Sequence, residues 1–275
     1  MTNIVSIPNE FYAAAAPIMI LCVGSIVAML QSVFRSVSGP KAIQLTTLVS
    51  LAAALTFVVA VPATNVPFLE GTYLFENLSK FGQGLIILVA LSIALLCNGS
   101  YMSHQFFRGE ISSLYQMVVA GMAIMVASDD LITLFVGLEL SSIGFYALIG
   151  YVRQSRMSLE GSIKYFILGS FASAFLLFSF ALFYTVTGSM RVSEIVANLP
   201  AVASHPWAML AGLFLLIGLG FKFGLAPFHM WAPDAYESAP TAITALMATA
   251  AKTMILIVML RFLNDGIRTL YVVWL

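Results

Sequence analysis

The chain has 275 residues, 61% of them hydrophobic and 9% charged, and its twelve basic and twelve acidic residues cancel. Against roughly 25% charged residues in an ordinary soluble domain, this composition cannot cover its own surface with polar groups and demands lipid. Neutrality excludes both a basic nucleic-acid surface and a solvated acidic arm.

The first apolar run begins at Phe11 without a basic flank and continues to Phe34. That is too long for the core of a signal peptide and long enough for a membrane helix, which needs about 20 apolar residues. By the same measure further spans are predicted at about 42–63, 81–98, 112–128, 131–152, 160–187, 207–226 and 240–263. The residues after Arg268, "TLYVVWL", read as the opening of a ninth span. These runs are continuously apolar rather than alternating, which argues against a β-barrel and for an all-α polytopic membrane protein. Cys22 and Cys97 lie inside apolar runs, far from any CxxC or Cys/His cluster, and read as small buried hydrophobes.

The links carry most of the polar residues. "GSMRVSEIVANLPAVASHP", between the sixth and seventh spans, has room for a short interfacial helix around Val192 to Leu199. Asp129 and Asp130 form the tight link between the fourth and fifth spans, either as helix caps or as a proton entry point. Links after odd-numbered spans hold Arg35, Lys41, Arg108, Arg153 and Arg156, whereas those after even-numbered spans hold Lys80 and Arg191. By the positive-inside rule this puts the N-terminus outside, in the periplasm or its organellar equivalent. Arg261 and Arg268, at and beyond the end of the eighth span, dissent.

Away from the span ends, where Glu160 and Arg261 sit, four ionisable residues lie within the spans, each costing about 2.5–3.5 kcal/mol at mid-membrane on insertion scales. Glu139 in "LFVGLELSSIGFYALIGY" is about 12 Å into its helix, and Lys252 in "ALMATAAKTMILIV" is about 18 Å past Pro240. Lys222 is deep in the seventh span. Lys164 lies one turn past Glu160 and is positioned to pair with it, to snorkel, or to carry a proton. Glu139 and Lys222 fit a structural ion pair, but that leaves Lys252 with no deep carboxylate. A lysine able to be neutral or charged in a low-dielectric site is a proton carrier.

Lys222 is set in "GLGFKFGLAPFHMWAP". Gly218, Gly220 and Gly224 flank it, and Pro227 removes a backbone donor, so the helix is expected to be interrupted between Gly218 and Pro227. Interrupted membrane helices are tolerated where the break faces protein or a wet cavity, and beside a charge they mark ion pathways. His229 and Asp234 come next in "PFHMWAPDAYESAPT" as candidate relays between bulk and Lys222, although a Pro-rich turn with an interfacial Trp231 also accounts for this stretch.

These motifs resemble the antiporter-like membrane subunits of respiratory complex I, NADH:quinone oxidoreductase. The wording around Glu139 ("GLELSSIGFYALIGY"), in the sixth span ("SIKYFILGSFASAFLLFSFALFYTVTGS") and after Lys222 ("FKFGLAPFHMWAPDAYESAPT") is closest to the subunit N branch. Leu138 stands where the sister subunits L and M usually carry a tryptophan. The resemblance implies a proton-translocating role with Glu139, Lys222 and Lys252 at the family's carrier positions and Lys164 and His229 as further candidates. It implies an N-terminal three-helix segment at 1–110, a five-helix repeat at 111–263, and the start of an incomplete span at 264–275. The family's usual fourteen or so spans include a second repeat that these residues do not supply, so a second chain or a longer product is expected.

The resemblance further implies membrane-arm partners, with subunits K and M as neighbours, in a bacterial cytoplasmic membrane or the mitochondrial inner membrane. No cofactor is expected in this chain; quinone, flavin and iron–sulfur clusters belong to partner subunits. The residues agree, having no Gly-rich nucleotide fingerprint and no cysteine ladder. A multisubunit cation/proton antiporter shares the Glu/Lys pattern, and a structural scaffold without a complete path is the third reading.

Overall fold

The computed structural model describes residues 9–34, 39–64, 68–69, 72–97, 109–152 and 154–262. Every regular element among them is helical, since a backbone in lipid has to satisfy its own N–H and C=O groups. In chain order these are α1 (Asn9–Val33), α2 (Pro40–Ala60), α3 (Asn77–Leu96), α4 (Gly109–Val126), α5 (Leu131–Ile149), α6 (Arg156–Thr187), α7 (Val192–Val202), α8 (Pro206–Phe223), α9 (Ala232–Ser238) and α10 (Thr241–Phe262).

Eight of these helices coincide with the expected spans; seven are long and apolar enough to cross a membrane and α4 is shorter. The short α7 falls where the link composition put it, whereas α9 has no apolar run to announce it. Arg35, Arg108, Arg153, Arg268 and the expected ninth-span opening lie outside the described residues. Helices start ahead of the apolar runs where a polar cap starts them. Ser155 Oγ accepts the Ser158 N–H at 3.3 Å, so α6 begins at Arg156.

Lipid is as apolar as a helix face, so helices in a membrane associate through close packing and hydrogen bonds. The α4–α5 contact shows the close packing. A methyl group at Gly137 would lie 2.6 Å from the Met125 nitrogen and 2.8 Å from the Gly121 carbonyl oxygen, so the backbones touch where only glycine fits. Between α1, α2 and α4 runs a buried polar seam: Ser25 Oγ donates to Ser113 O at 2.9 Å, and Ser50 Oγ to Gln116 Oε1 at 2.5 Å. The large side chains of Ile163, Phe166 and Phe171 on α6 stay exposed, as a lipid-facing surface requires. Cys97 is buried, Cys22 is half-buried, and both are free thiols.

One end of the bundle is tied together by its loops. Asp130 Oδ2 caps α5 by accepting the Thr133 N–H at 2.8 Å, and Asp129 caps α7 by accepting from Ser193 N and Oγ at 3.0 and 2.6 Å. Both aspartates therefore act as caps. Tyr73 donates its hydroxyl to Ala14 O at 2.6 Å, and burial pushes this phenol up to about 12, so it stays a donor.

Arg261 sits at the same end with a side chain only 6% exposed. Its guanidinium pairs with Glu76 at 3.1 Å and donates to Ser128 O and Ser79 Oγ. The arginine that dissents from the charge count is thus a clamp holding α10 to α3 and to the α4–α5 link, not a free flanking charge.

Candidate functional site

The site is built on one face of α5. Glu139, Ser142 and Tyr146 stand three and four residues apart, so their side chains share a stripe. Opposite them α8 delivers Lys222 in its last turn, with a side chain 4% exposed. Lys222 Nζ donates to Ser142 Oγ at 2.9 Å and lies 3.5 Å from Tyr146 OH and 3.7 Å from Glu139 Oε1. The expected approach of glutamate and lysine is there, but the neutral serine is closer to the ammonium than the carboxylate is. Glu139 takes its hydrogen bond from Ser173 Oγ on α6 instead.

α6 reaches the site along a four-residue ridge of Gly161, Tyr165, Gly169 and Ser173. A methyl group at Gly169 would lie 2.2 Å from Tyr146 OH, so this glycine is what lets the tyrosine lie against α6 and reach the lysine.

α8 stops at Phe223, inside the expected window. Gly224 adopts φ +80°, its N–H bonds Phe221 O at 3.0 Å, and the Leu225 N–H bonds Gly220 O at 2.8 Å. This is a Schellman termination, which needs a left-handed residue at Gly224. The chain then turns through residues 225–231 into α9.

Trp231, expected at the membrane interface, is instead 3% exposed. Its indole N–H donates to Phe221 O at 2.9 Å, its ring stacks on Tyr165 at 4.4 Å, and Tyr165 in turn meets Tyr146 edge-on at 4.8 Å. The helix end holds the indole inward, because a buried indole N–H needs a partner and the Phe221 carbonyl, already bonded by Gly224 N–H, has a second lone pair to offer. The break is therefore plugged by protein at Phe221.

The remaining candidates separate. Lys164 Nζ lies 2.8 Å from both Glu160 Oε1 and Asp234 Oδ2, half-exposed, and so straps α9 to α6. Asp234 is taken up by that strap, and His229 is exposed on the turn with no side-chain bond to either lysine or to Asp234 among the described residues. Lys252 comes directly after a π-helical turn, Met247–Ala251, within α10. Its Nζ lies 5.7 Å from the Phe223 ring centroid and 5.9 Å from that of Tyr236, with no carboxylate in ion-pair range among the described residues.

Sequence reasoning does not single out Ser142, Tyr146 or Ser173. A signal exists in the first two, which are polar groups on the stripe of a glutamate in an apolar helix. Ser173 is found only by seeing the Gly161–Gly169 ridge continue to it.

The family model described as NADH:quinone oxidoreductase/Mrp antiporter, TM, matches residues 128–274, just over half of the chain and all of the site. An NADH-quinone oxidoreductase subunit N of Methylovorus glucosotrophus is 35% identical over 275 residues, covering 98% of this chain and 56% of that protein. The subunit N of Desulfitobacterium hafniense is 40% identical over 198 residues, or 72% of this chain and 40% of its own. Among solved structures, a chain of respiratory complex I from Thermus thermophilus superposes with a TM-score of 0.73 at 33% identity, over 89% of this chain and 52% of that one. The chain thus spans about half the length of the curated relatives it matches.

Proposed function

Because this chain belongs to the NADH:quinone oxidoreductase/Mrp antiporter transmembrane family, we propose that it is part of a proton-translocating membrane subunit of NADH:quinone oxidoreductase. Glu139, Lys222 and Lys252 handle the protons. The observation that carries this is the Glu139–Lys222 pair, a buried lysine and a partly buried glutamate held at 3.7 Å at the last turn of an interrupted helix. A purely structural pair gains most from direct, short hydrogen bonds on every polar atom. Here the ammonium rests on hydroxyls, and the carboxylate is engaged by a serine on another helix. Such a pair can be drawn apart without leaving either charge bare. Separation weakens the attraction that favours charged Lys222 and releases its proton.

In this reading Lys252 receives that proton and passes it to a group outside the described residues. Lys164 and Asp234 hold α9 in place, and the exposed His229 is available at the outer end of the turn. Further spans, from the same product or another chain, complete the path. Neighbours of the K and M type flank it, and quinone, flavin and iron–sulfur chemistry reside in partner subunits. The setting is a bacterial cytoplasmic membrane with the N-terminus on the periplasmic side.

The family also includes antiporter subunits, and 33% identity to a complex I chain supports the redox-linked reading. Ion flux in liposomes containing the complex purified with this chain tests it. Proton uptake that starts with NADH and quinone and stops without them is expected. Sodium/proton exchange that proceeds without electron donor would replace this reading with the antiporter.

A further inference from the structure

Among the described residues, the neighbours of chemical consequence that Lys252 meets are two rings. Its ammonium lies within 6 Å of the centroids of Phe223 and Tyr236, the range in which a cation is attracted by a ring face. Three elements meet here because α8 is interrupted. Phe223 is the last residue of α8, Tyr236 lies in α9, and Lys252 is the first residue beyond the π turn of α10. A π turn adds one residue to a helix and so rotates the residues beyond it by about 100° relative to an unbroken α-helix. That rotation sets where the lysine stem points.

The rings are held by packing. Trp231 meets Tyr236 edge-on at 5.9 Å and is itself fixed by its bond to Phe221 O. The Tyr236 hydroxyl is buried and has no hydrogen-bond partner among the described residues, so it is the ring and not the phenol oxygen that this position uses.

We propose that Phe223 and Tyr236 are positioning residues that form an aromatic cage for Lys252, standing in for a carboxylate that none of the described residues supplies. This rests on the reading of Lys252 as a proton carrier. A ring face attracts the cation but cannot accept its proton. Lys252 can therefore be held in its charged form without losing the proton to its own partner, whereas Lys222 faces a base, Glu139. Since Phe223 is next to Lys222 in the chain, a shift of the α8 end acts on both lysines together.

The test is the rate at which a membrane-permeant acylating reagent, which attacks only neutral amines, modifies Lys252 in the assembled complex. Mass spectrometry of the Lys252 peptide reads it over a range of pH, with Lys80 as internal reference. Phe223→Leu and Tyr236→Leu, which keep side-chain bulk, are expected to speed labelling near neutral pH by about 2- to 30-fold, the weight of one cation–π contact. Tyr236→Phe is expected to match the wild type, and all variants to converge at strongly alkaline pH, where the amine is neutral in each.

Equal rates near neutral pH in the wild type and both Leu variants overturn the cage. So does an acceleration that persists at alkaline pH, since that reports opened access. If Tyr236→Leu fails to assemble, Phe223→Leu and Tyr236→Phe carry the same comparison. Proton translocation in Lys252→Met is read separately. Wild-type translocation there, beside the expected labelling, keeps the cage and overturns the carrier reading.

Discussion

Replacing Glu139 by glutamine removes one charge with almost no change in shape. Glu139 Oε1 is 3.7 Å from Lys222 Nζ. Two unit charges at that separation attract by about 4 kcal/mol at an effective dielectric of about 20. With 24% of the Glu139 side chain exposed, this is an upper figure. Its loss removes that attraction on the ammonium, while Ser142 and Tyr146 remain as neutral partners. On the proposed route, the weakened pair should hinder loading of Lys222. The assay is proton translocation per electron transferred, in liposomes holding the assembled complex, with electron transfer measured in parallel. Glu139→Gln is expected to assemble and to pass electrons while its translocation ratio falls; Glu139→Asp, which keeps the charge on a shorter stem, should fall in between. A wild-type ratio in Glu139→Gln would refute the gating role.

Gly169→Ala puts a methyl group into the Tyr146 hydroxyl. Overpacking of this kind costs about 1–3 kcal/mol, so the solubilised complex should melt earlier and pump less; an unchanged melting curve would mean α6 yields freely. Arg261→Met strands Glu76, Ser79 and the Ser128 carbonyl. With Glu76 a third exposed, the loss should be smaller than the about 3–5 kcal/mol of breaking a fully buried pair, yet complex levels in the membrane should drop, and Arg261→Lys should not restore them because it lacks the fork. Normal levels in either variant would show the clamp to be dispensable. Asp234→Asn loosens a half-exposed strap and should leave both thermal stability and translocation near wild type. A loss of translocation matching that of a Lys222 variant would put Lys164 and Asp234 on the path.

Features that cost free energy are the ones the sequence makes plain. Glu139, Lys222 and Lys252 are legible because a charge inside an apolar run needs a reason, and the pairing of the first two comes from having one deep carboxylate to share. The interruption is legible from Gly224 and Pro227, whose backbone demands are local. Trp231 misleads because tryptophan favours both interfaces and buried helix ends; only the folded position of the Phe221 carbonyl, whose second lone pair takes the indole N–H, decides between them. Arg261 misleads for a related reason, since a clamp and a flanking charge look alike until α3 and the α4–α5 link are folded against it. The π turn before Lys252 leaves no mark in "MATAA", because the extra residue is absorbed by packing rather than by a special side chain.

If Lys222 and Lys252 belong to one proton route, the translocation ratio of the assembled complex carrying Lys222→Met, Lys252→Met and both substitutions together will show it. Groups that act in series are not additive, so each single variant should lower the ratio to the same level and the double variant should go no lower, with electron transfer retained throughout. A wild-type ratio in either single variant, or a double variant that loses the sum of two partial losses, would contradict it.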